Sequence, residues 1–284
     1  MVYLRVKKIK SEEYLYLVRS IWDSKKNSSK QEIIKYLGRS SDVEKEDIPI
    51  DYRNDSKILL SLSKHNPKNI KKREEVLKNS KQQLFKKLIS GEHRATLKIF
   101  QDYNKIFNIS DFFDKVLKPV MYKIGDDWET GRVSVASQHI ASNVAHSLVK
   151  FIMNDSRVAC KKNKILICVP LGEEHHLGCD IIETYLASKG FQVYNMGTSV
   201  PTESILNFIE FNKPGVILLS ITLEDNLKAG QRLVKKIKEQ YDIPIFIGGL
   251  ALQKGKIPNI DAQIIADSKL EDIPKILNTS KGEI

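Results

Sequence analysis

Cysteine is scarce in this chain. Cys160, Cys168 and Cys179 are the only three in 284 residues, and none stands in a CxxC pair. Neither a disulfide framework nor a zinc knuckle is expected, only reduced thiols in or near the core. Long apolar runs are missing as well: Ile165 to Val169 and Val216 to Leu219 are strand-sized, far short of the roughly 20 residues that cross a bilayer. The chain opens on alternating charged and apolar residues instead of an apolar segment with a small-residue cleavage site, which predicts cytoplasmic residence without a membrane span. What is plentiful is basic charge. The net charge of +11 is made up of +7 in residues 1–80, +4 in 81–160 and zero in 161–284. A neutral C-terminal portion suits a small-molecule site. The basic N-terminal portion suits phosphates or an acidic partner, or is simply a solvated surface.

A hydrophobic fraction of 41% over this length supports more than one core, and the periodicity changes twice along the chain. Up to about Gly38 it is near two: Tyr14, Tyr16 and Val18 alternate with Leu15, Leu17 and Arg19, and Ile33 to Leu37 follows a polar turn. This predicts three antiparallel strands in a basic β region over 1–40. Residues 41–69, with Ile-Pro and Asn-Pro steps, read as a linker with one short helix. Residues 70–158 read as a four-helix bundle broken at Ser90-Gly91, Asn108 to Ser110 and Thr130-Gly131. Ser110 or Asp111 is the expected cap of one helix and Ser134 of another. From 162 to 284 strands at Ile165, Gln192, Gly215, Ile243 and Ile264 alternate with amphipathic helices at Leu177, Thr202 and Leu227. That alternation implies a Rossmann-like α/β domain with a parallel sheet. The predicted architecture is therefore multidomain, with its ligand at the carboxyl ends of the C-terminal strands.

The loop after the first of those strands is Gly172-Glu173-Glu174-His175-His176-Leu177-Gly178. Imidazole is a good transition-metal ligand, and a carboxylate two residues earlier, Glu173, can take the second ring N–H of His175 and fix its tautomer. Gly178 leaves room for a flat ligand against the backbone. Ser220 and Thr222 place hydroxyls at the carboxyl edge of a later strand, and Gly248-Gly249 closes the next one without side chains that would block a ligand. His176 competes with His175 as ligand. His65, His93 and His146 have no motif around them and read as solvated or packed.

Taken together, Glu173-x-His175-x-x-Gly178, then 41 residues to Ser220-Ile221-Thr222, then 25 to Gly248-Gly249, resembles the cobalamin-binding signature usually written DxHxxG, SxL and GG. The resemblance implies that His175 is the lower axial ligand of cobalt, in place of the vitamin's own base. It implies also that the nucleotide tail runs between the strands of Ser220, Thr222, Gly248 and Gly249. Glu173 stands where Asp is usual and Thr222 where Leu is common; both keep the chemistry. Gly125-Asp126-Asp127-Trp128-Glu129 with Gln138-His139 ten residues after the Trp resembles the capping bundle of the CarH and LitR type of cobalamin-dependent, light-sensing transcription regulators. That likeness implies that Trp128, Gln138 and His139 face the upper axial group of adenosylcobalamin or methylcobalamin. Gln138 replaces the Glu of that pair, and Glu129 occupies the position where light-sensing members often carry His.

The MerR-type helix-turn-helix of those regulators has no counterpart before residue 60. In its place stands the β region with Arg5, Lys7, Arg19 and Lys35 beside tyrosines and Trp22, which fits either nucleic acid or a docking and oligomerisation role. The reading is a cobalamin-binding sensor, more regulator than enzyme, photoreceptor and homo-oligomer in expectation. A corrinoid methyl carrier of a methyltransferase system is the alternative.

Overall fold

The structure is a computed structural model that describes residues 2–9, 12–23, 28–65, 67–105, 107–156, 158–159, 163–254, 260–266 and 268–279. Cys160 lies outside the described residues. The chain divides into two compact units, Met1–Lys86 with Leu97–Val120, and Lys87–Thr96 with Met121–Ile284.

In the first unit three antiparallel strands, β1 (Val2–Ile9), β2 (Glu12–Asp23) and β3 (Ser28–Arg39), pair in the order of the chain. The register sets Leu4 opposite Leu17 and Val6 opposite Leu15. One face is therefore aliphatic, and it is buried with Val43, Ile48 and with Ile58 and Leu62 of helix α1 (Ser56–His65). Residues 41–69 thus hold more order than a linker. Asp55 accepts from the backbone N–H groups of Lys57 (2.8 Å) and Ile58 (3.2 Å) at the start of α1, and Pro67 opens helix α2 (Pro67–Ile89), where a missing N–H costs nothing. Of the four basic residues expected together on the sheet, two serve the packed side: Arg19 donates to the Tyr52 hydroxyl (3.1 Å) and Lys35 to the Asp47 carbonyl (2.7 Å). The opposite face carries Arg5 and Lys7 in register with Tyr16 and Tyr14. Tyr36 lies across from Tyr16, with ring centroids 5.0 Å apart. Arg5 donates to Gln31 and Gln31 to the Tyr3 hydroxyl, both at 2.7 Å.

The helical region continues with α3 (His93–Asn104), α4 (Ile109–Phe112), a π-helical turn over Phe113–Leu117, α5 (Lys118–Glu129) and α6 (Val135–Ser156). Its breaks fall where Gly91, Asn108 and Gly131 predicted them. The caps were half anticipated. Ser134 accepts from Ser137 N–H (3.1 Å), but at α4 the cap is Asn108, whose side chain accepts from Asp111 N–H at 2.7 Å. Ser110, one of the expected caps, instead donates its hydroxyl to Asn108, because Asn108 has the extended backbone that a cap requires. Phe100, Tyr103, Phe107 and Phe112 pack edge to face and stacked within the first unit.

The second unit is built on a five-stranded parallel sheet in the order β5-β4-β6-β7-β8: β4 (Lys164–Cys168), β5 (Gln192–Asn195), β6 (Val216–Ser220), β7 (Ile245–Gly248) and β8 (Gln263–Ile264). Helices α7 (Leu177–Ser188), α8 (Thr202–Asn212) and α9 (Leu227–Gln240) are the crossovers, followed by short helices α10 (Ala251–Lys254) and α11 (Ile273–Thr279). The strands read as continuous apolar runs because both faces are covered. Leu166, Cys168, Ile217, Leu219, Ile221, Ile245 and Ile247 share one core with Ile205, Ile209, Leu233 and Val234. Helix α6 packs along α7 in this same unit. Cys168 and Cys179 are free and buried; burial pushes the Cys168 thiol up to about 12 and that of Cys179 up as well, so both are inert. Among the described residues no helix is long and apolar enough to cross a membrane.

Candidate functional site

Strand β4, between β5 and β6, ends at Cys168, and the chain leaves its carboxyl end through the loop 169–176. On this loop Glu173 is fully buried. One of its oxygens, Oε1, lies 2.7 Å from His175 Nδ1 and accepts from His175 N–H at 3.1 Å. The other, Oε2, accepts from the backbone N–H groups of Thr222 (2.9 Å) and Leu223 (3.0 Å) and from the Asn226 amide (3.0 Å). Burial by itself would raise this carboxyl. The donors around it, His175 first and then Leu223 N–H and Asn226, outweigh burial and hold it near 2. A carboxylate that accepts five hydrogen bonds has no vacancy for a metal of its own; it is a clamp.

What it clamps is His175. With Nδ1 donating to Glu173, the lone pair of the neutral ring resides on Nε2. The side chain is 52% exposed, so that nitrogen is available for a ligand bond. The Glu173 carboxylate raises the pKa of the ring, through the hydrogen bond first and burial in opposition. A carboxylate–imidazole pair with one ring nitrogen turned outward is the donor set that a cobalt lower ligand requires.

The surroundings fit a large flat ligand in part by what is not there. A Cβ on Gly178 would meet no atom within 4 Å, so the start of α7 offers bare backbone beside His175. Gly249 has a different reason: at φ +111, a Cβ there would lie 2.0 Å from the Ile221 carbonyl oxygen. The second glycine of the pair is demanded by strand-end packing before any ligand is considered. Ser220 faces Gly248 across β6 and β7, with Ile221 N–H donating to the Gly248 carbonyl at 2.9 Å. At Thr222 the clamp contact comes from the backbone; among the described residues the hydroxyl expected to matter makes no hydrogen bond. Glu173, His175, Gly178, Ser220, Thr222, Gly248 and Gly249 thus gather at one end of the sheet.

Trp128 is 44% exposed on the last turn of α5, and Gln138 and His139 lie in the first turn of α6. Gln138 donates to Ser142 (3.4 Å). No hydrogen bond or ring contact joins Trp128, Gln138 or His139 to one another or to His175. The acidic run before Trp128 has a structural use: Asp127 accepts from Arg132 Nε at 2.8 Å and pairs with Lys123 Nζ at 3.0 Å, while its carbonyl takes the N–H groups of Arg132 and Val133. This pins the turn that carries Trp128 toward α6.

Two features escaped the sequence reading. Asn226 completes the Glu173 clamp from 53 residues away, and only its place just after β6 could have hinted at it. His146, which read as merely solvated or packed, stacks on His176 with ring centroids 4.3 Å apart and places Nδ1 2.7 Å from Asp180 Oδ2. His176 is thereby engaged away from the His175 position.

Comparison with known proteins gives the family of each segment. Residues 163–265 match one B12 binding domain family and residues 81–152 a second. The chain is 24% identical over 141 residues to the HTH-type transcriptional repressor CarH of Myxococcus xanthus, a match that takes in 49% of this chain and only 47% of that protein, about half its length. It is 24% identical over 203 residues to dimethylamine corrinoid protein 1 of Methanosarcina mazei, covering 68% of this chain and 93% of that one. The monomethylamine corrinoid protein of Methanosarcina barkeri shares the fold, with a TM-score of 0.59 at 17% identity over 69% of this chain and 95% of that chain. A parallel sheet with a carboxylate-held histidine at the end of its inner strand β4, preceded by a matching helical region, defines the cobalamin-binding class. This chain is a cobalamin-binding protein.

Proposed function

We propose that this protein is a cobalamin-dependent regulator. In this reading residues 70–158 and 162–284 hold the cofactor, and the β region over 1–40 delivers the output. The observation that carries it is the N-terminal sheet, which lies outside both matched segments. It has its own core, and the face opposite that core carries Arg5 and Lys7 among Tyr3, Tyr14, Tyr16 and Tyr36. A basic, aromatic platform suits a phosphate backbone with stacking bases.

When bound, cobalamin would supply a cobalt–carbon bond whose state can be changed by light or by a partner. The chain's own residues would do the rest. His175 would hold the lower side through Nε2, kept in the correct tautomer by Glu173. Ser220, Thr222, Gly248 and Gly249 would border the nucleotide tail and Gly178 the macrocycle. Trp128, Gln138 and His139 would serve the upper side, where a neutral Gln138 leaves His139 as a donor. A regulator requires only that the two cofactor states differ in binding energy between two arrangements of the protein.

A methyl carrier is the second reading, favoured by the match over 93% of a dimethylamine corrinoid protein. One experiment separates the two. The protein is loaded with adenosyl- and methylcobalamin in darkness, and absorption, particle size and retention of DNA are followed before and after illumination. Regulation by light predicts a spectral change with altered size or DNA retention. Indifference to light, with methyl transfer to a thiol acceptor, would establish the carrier.

A further inference from the structure

Helix α6 and the start of α7 bring together three groups that neither the cofactor nor the fold uses fully. His146, from the middle of α6, has Nδ1 2.7 Å from Asp180 Oδ2. His176, at the N-terminus of α7, has Nε2 4.0 Å from the same oxygen. The three ligating atoms all lie within 4.8 Å of one another. We propose that His146, His176 and Asp180 form a binding site for a divalent transition-metal ion of the zinc class, fastening α6 to the first turn of α7.

Three observations support the site. The first is distance. Nitrogen and oxygen ligands about 2.1 Å from a tetrahedral ion stand about 3.4 Å apart. The two distances to Asp180 Oδ2, 2.7 and 4.0 Å, fall on either side of that value, so side-chain movements, with the His146 proton passing from Nδ1 to Nε2, would close the set.

The second is proton bookkeeping on His176. Its Nδ1 lies 3.2 Å from the Glu174 carbonyl, and a carbonyl can only accept. In the neutral ring the proton is therefore on Nδ1, and Nε2 turns a lone pair toward a carboxylate oxygen. Two acceptors facing each other across 4.0 Å gain nothing from one another, and a cation between them resolves the mismatch.

The third is the support behind the carboxylate. Asn195, at the end of β5, donates its amide to the other oxygen of Asp180, Oδ1, at 2.9 Å and to Glu183 at 2.9 Å. Its own carbonyl accepts from Gly197 N–H at 3.0 Å. One oxygen of Asp180 is thus tied back and the other left toward the histidines, the outer-shell arrangement that orients metal-binding carboxylates. The side chains are sheltered, with 21% exposure for His146, 24% for His176 and 9% for Asp180. A fourth position is left for water. The site adjoins His175 but shares no ligand with it, and so stands or falls independently of cobalt ligation.

The test uses the full chain, equilibrated against zinc at micromolar free concentration, with bound zinc measured by elemental analysis and thermal midpoints recorded with and without the ion. About one zinc per chain is expected, with a midpoint that rises with zinc concentration. His146→Gln keeps an amide donor for Asp180 but offers no strong ligand; it and His176→Asn should lose zinc and the zinc-dependent rise in midpoint. Asn195→Ala should bind about ten- to a hundredfold more weakly. His175→Ala should bind as the parent does. Absence of zinc from the parent chain, full binding by His146→Gln, or loss of binding in His175→Ala would each overturn the assignment, the last by moving the ion to the Glu173–His175 pair.

Discussion

Glu173 Oε1 sits 2.7 Å from Nδ1 of His175 while Oε2 of the same carboxylate takes the backbone N–H groups of Thr222 and Leu223. One buried carboxylate therefore orients the His175 imidazole and ties the loop after β4 to the loop after β6. These two strand ends carry the first two of the three signature motifs.

Glu173→Gln keeps the size of the side chain and removes its charge. Its amide NH2 would have to face either Nδ1–H of His175 or the N–H groups of the second loop, donor against donor. The expected loss is about 3 kcal/mol of stability, read from urea unfolding of the cofactor-free chain, together with weakened cobalamin binding. Unchanged urea stability would show that the clamp carries little of the fold.

The acid limb of stability follows from the same group. The Glu173 pKa is depressed from an ordinary 4.5 to about 2. Its contribution is full above the ordinary value and is lost as pH falls from 4.5 through 2. Urea midpoints taken between pH 7 and pH 2.5 should show this decline in the parent and a smaller one in Glu173→Gln. His175 moves the opposite way. Its pKa is raised, so the stability it adds in the cofactor-free chain is complete below about 6.5 and fades as pH rises through the raised value. An NMR titration of its ring protons should show a midpoint above the ordinary imidazole value of about 6.5.

His175→Ala is expected to abolish the base-off, His-on absorption spectrum of the cobalamin-loaded protein, and His176→Ala to preserve it, because the His176 ring is stacked on His146 and its Nδ1 lies against Glu174. Survival of that spectrum in His175→Ala would transfer the ligand role to His176.

Two glycines of the signature should behave oppositely. Gly249→Ala forces a Cβ to 2.0 Å from a backbone oxygen at φ +111 and should cost about 3 kcal/mol or more even without cofactor. Gly178→Ala meets open space inside a helix, so the cofactor-free chain should be as stable or up to about 1 kcal/mol more stable, while cobalamin binds less tightly. Equal losses in both would remove the cofactor explanation for Gly178.

Asn226→Ala deletes one of three donors to Glu173 Oε2 and should lower stability by about 1 to 2 kcal/mol, with the His-on spectrum retained at reduced affinity.

Much of this was legible in the amino-acid order. Strands β4 to β7 and helices α7 to α9 lie where apolar runs and amphipathic stretches put them, because a parallel sheet covered on both faces leaves a continuous apolar signal. The cobalamin signature was legible for a related reason: each of its motifs is a local strand-end segment whose spacing is preserved in the chain. Tertiary structure decided what depends on distant partners. Asp127 became a pin for a turn, Arg19 and Lys35 were drawn to the packed side of the sheet, and the short helix expected in residues 41–69, α1, was seated in the core of the N-terminal sheet. Asn226 reaches Glu173 across 53 residues, and His146 reaches Asp180 across 34. No periodicity connects such pairs. They meet only because β6 lies beside β4 and α6 packs on α7, and that packing turned His146 of α6 into part of a candidate metal site.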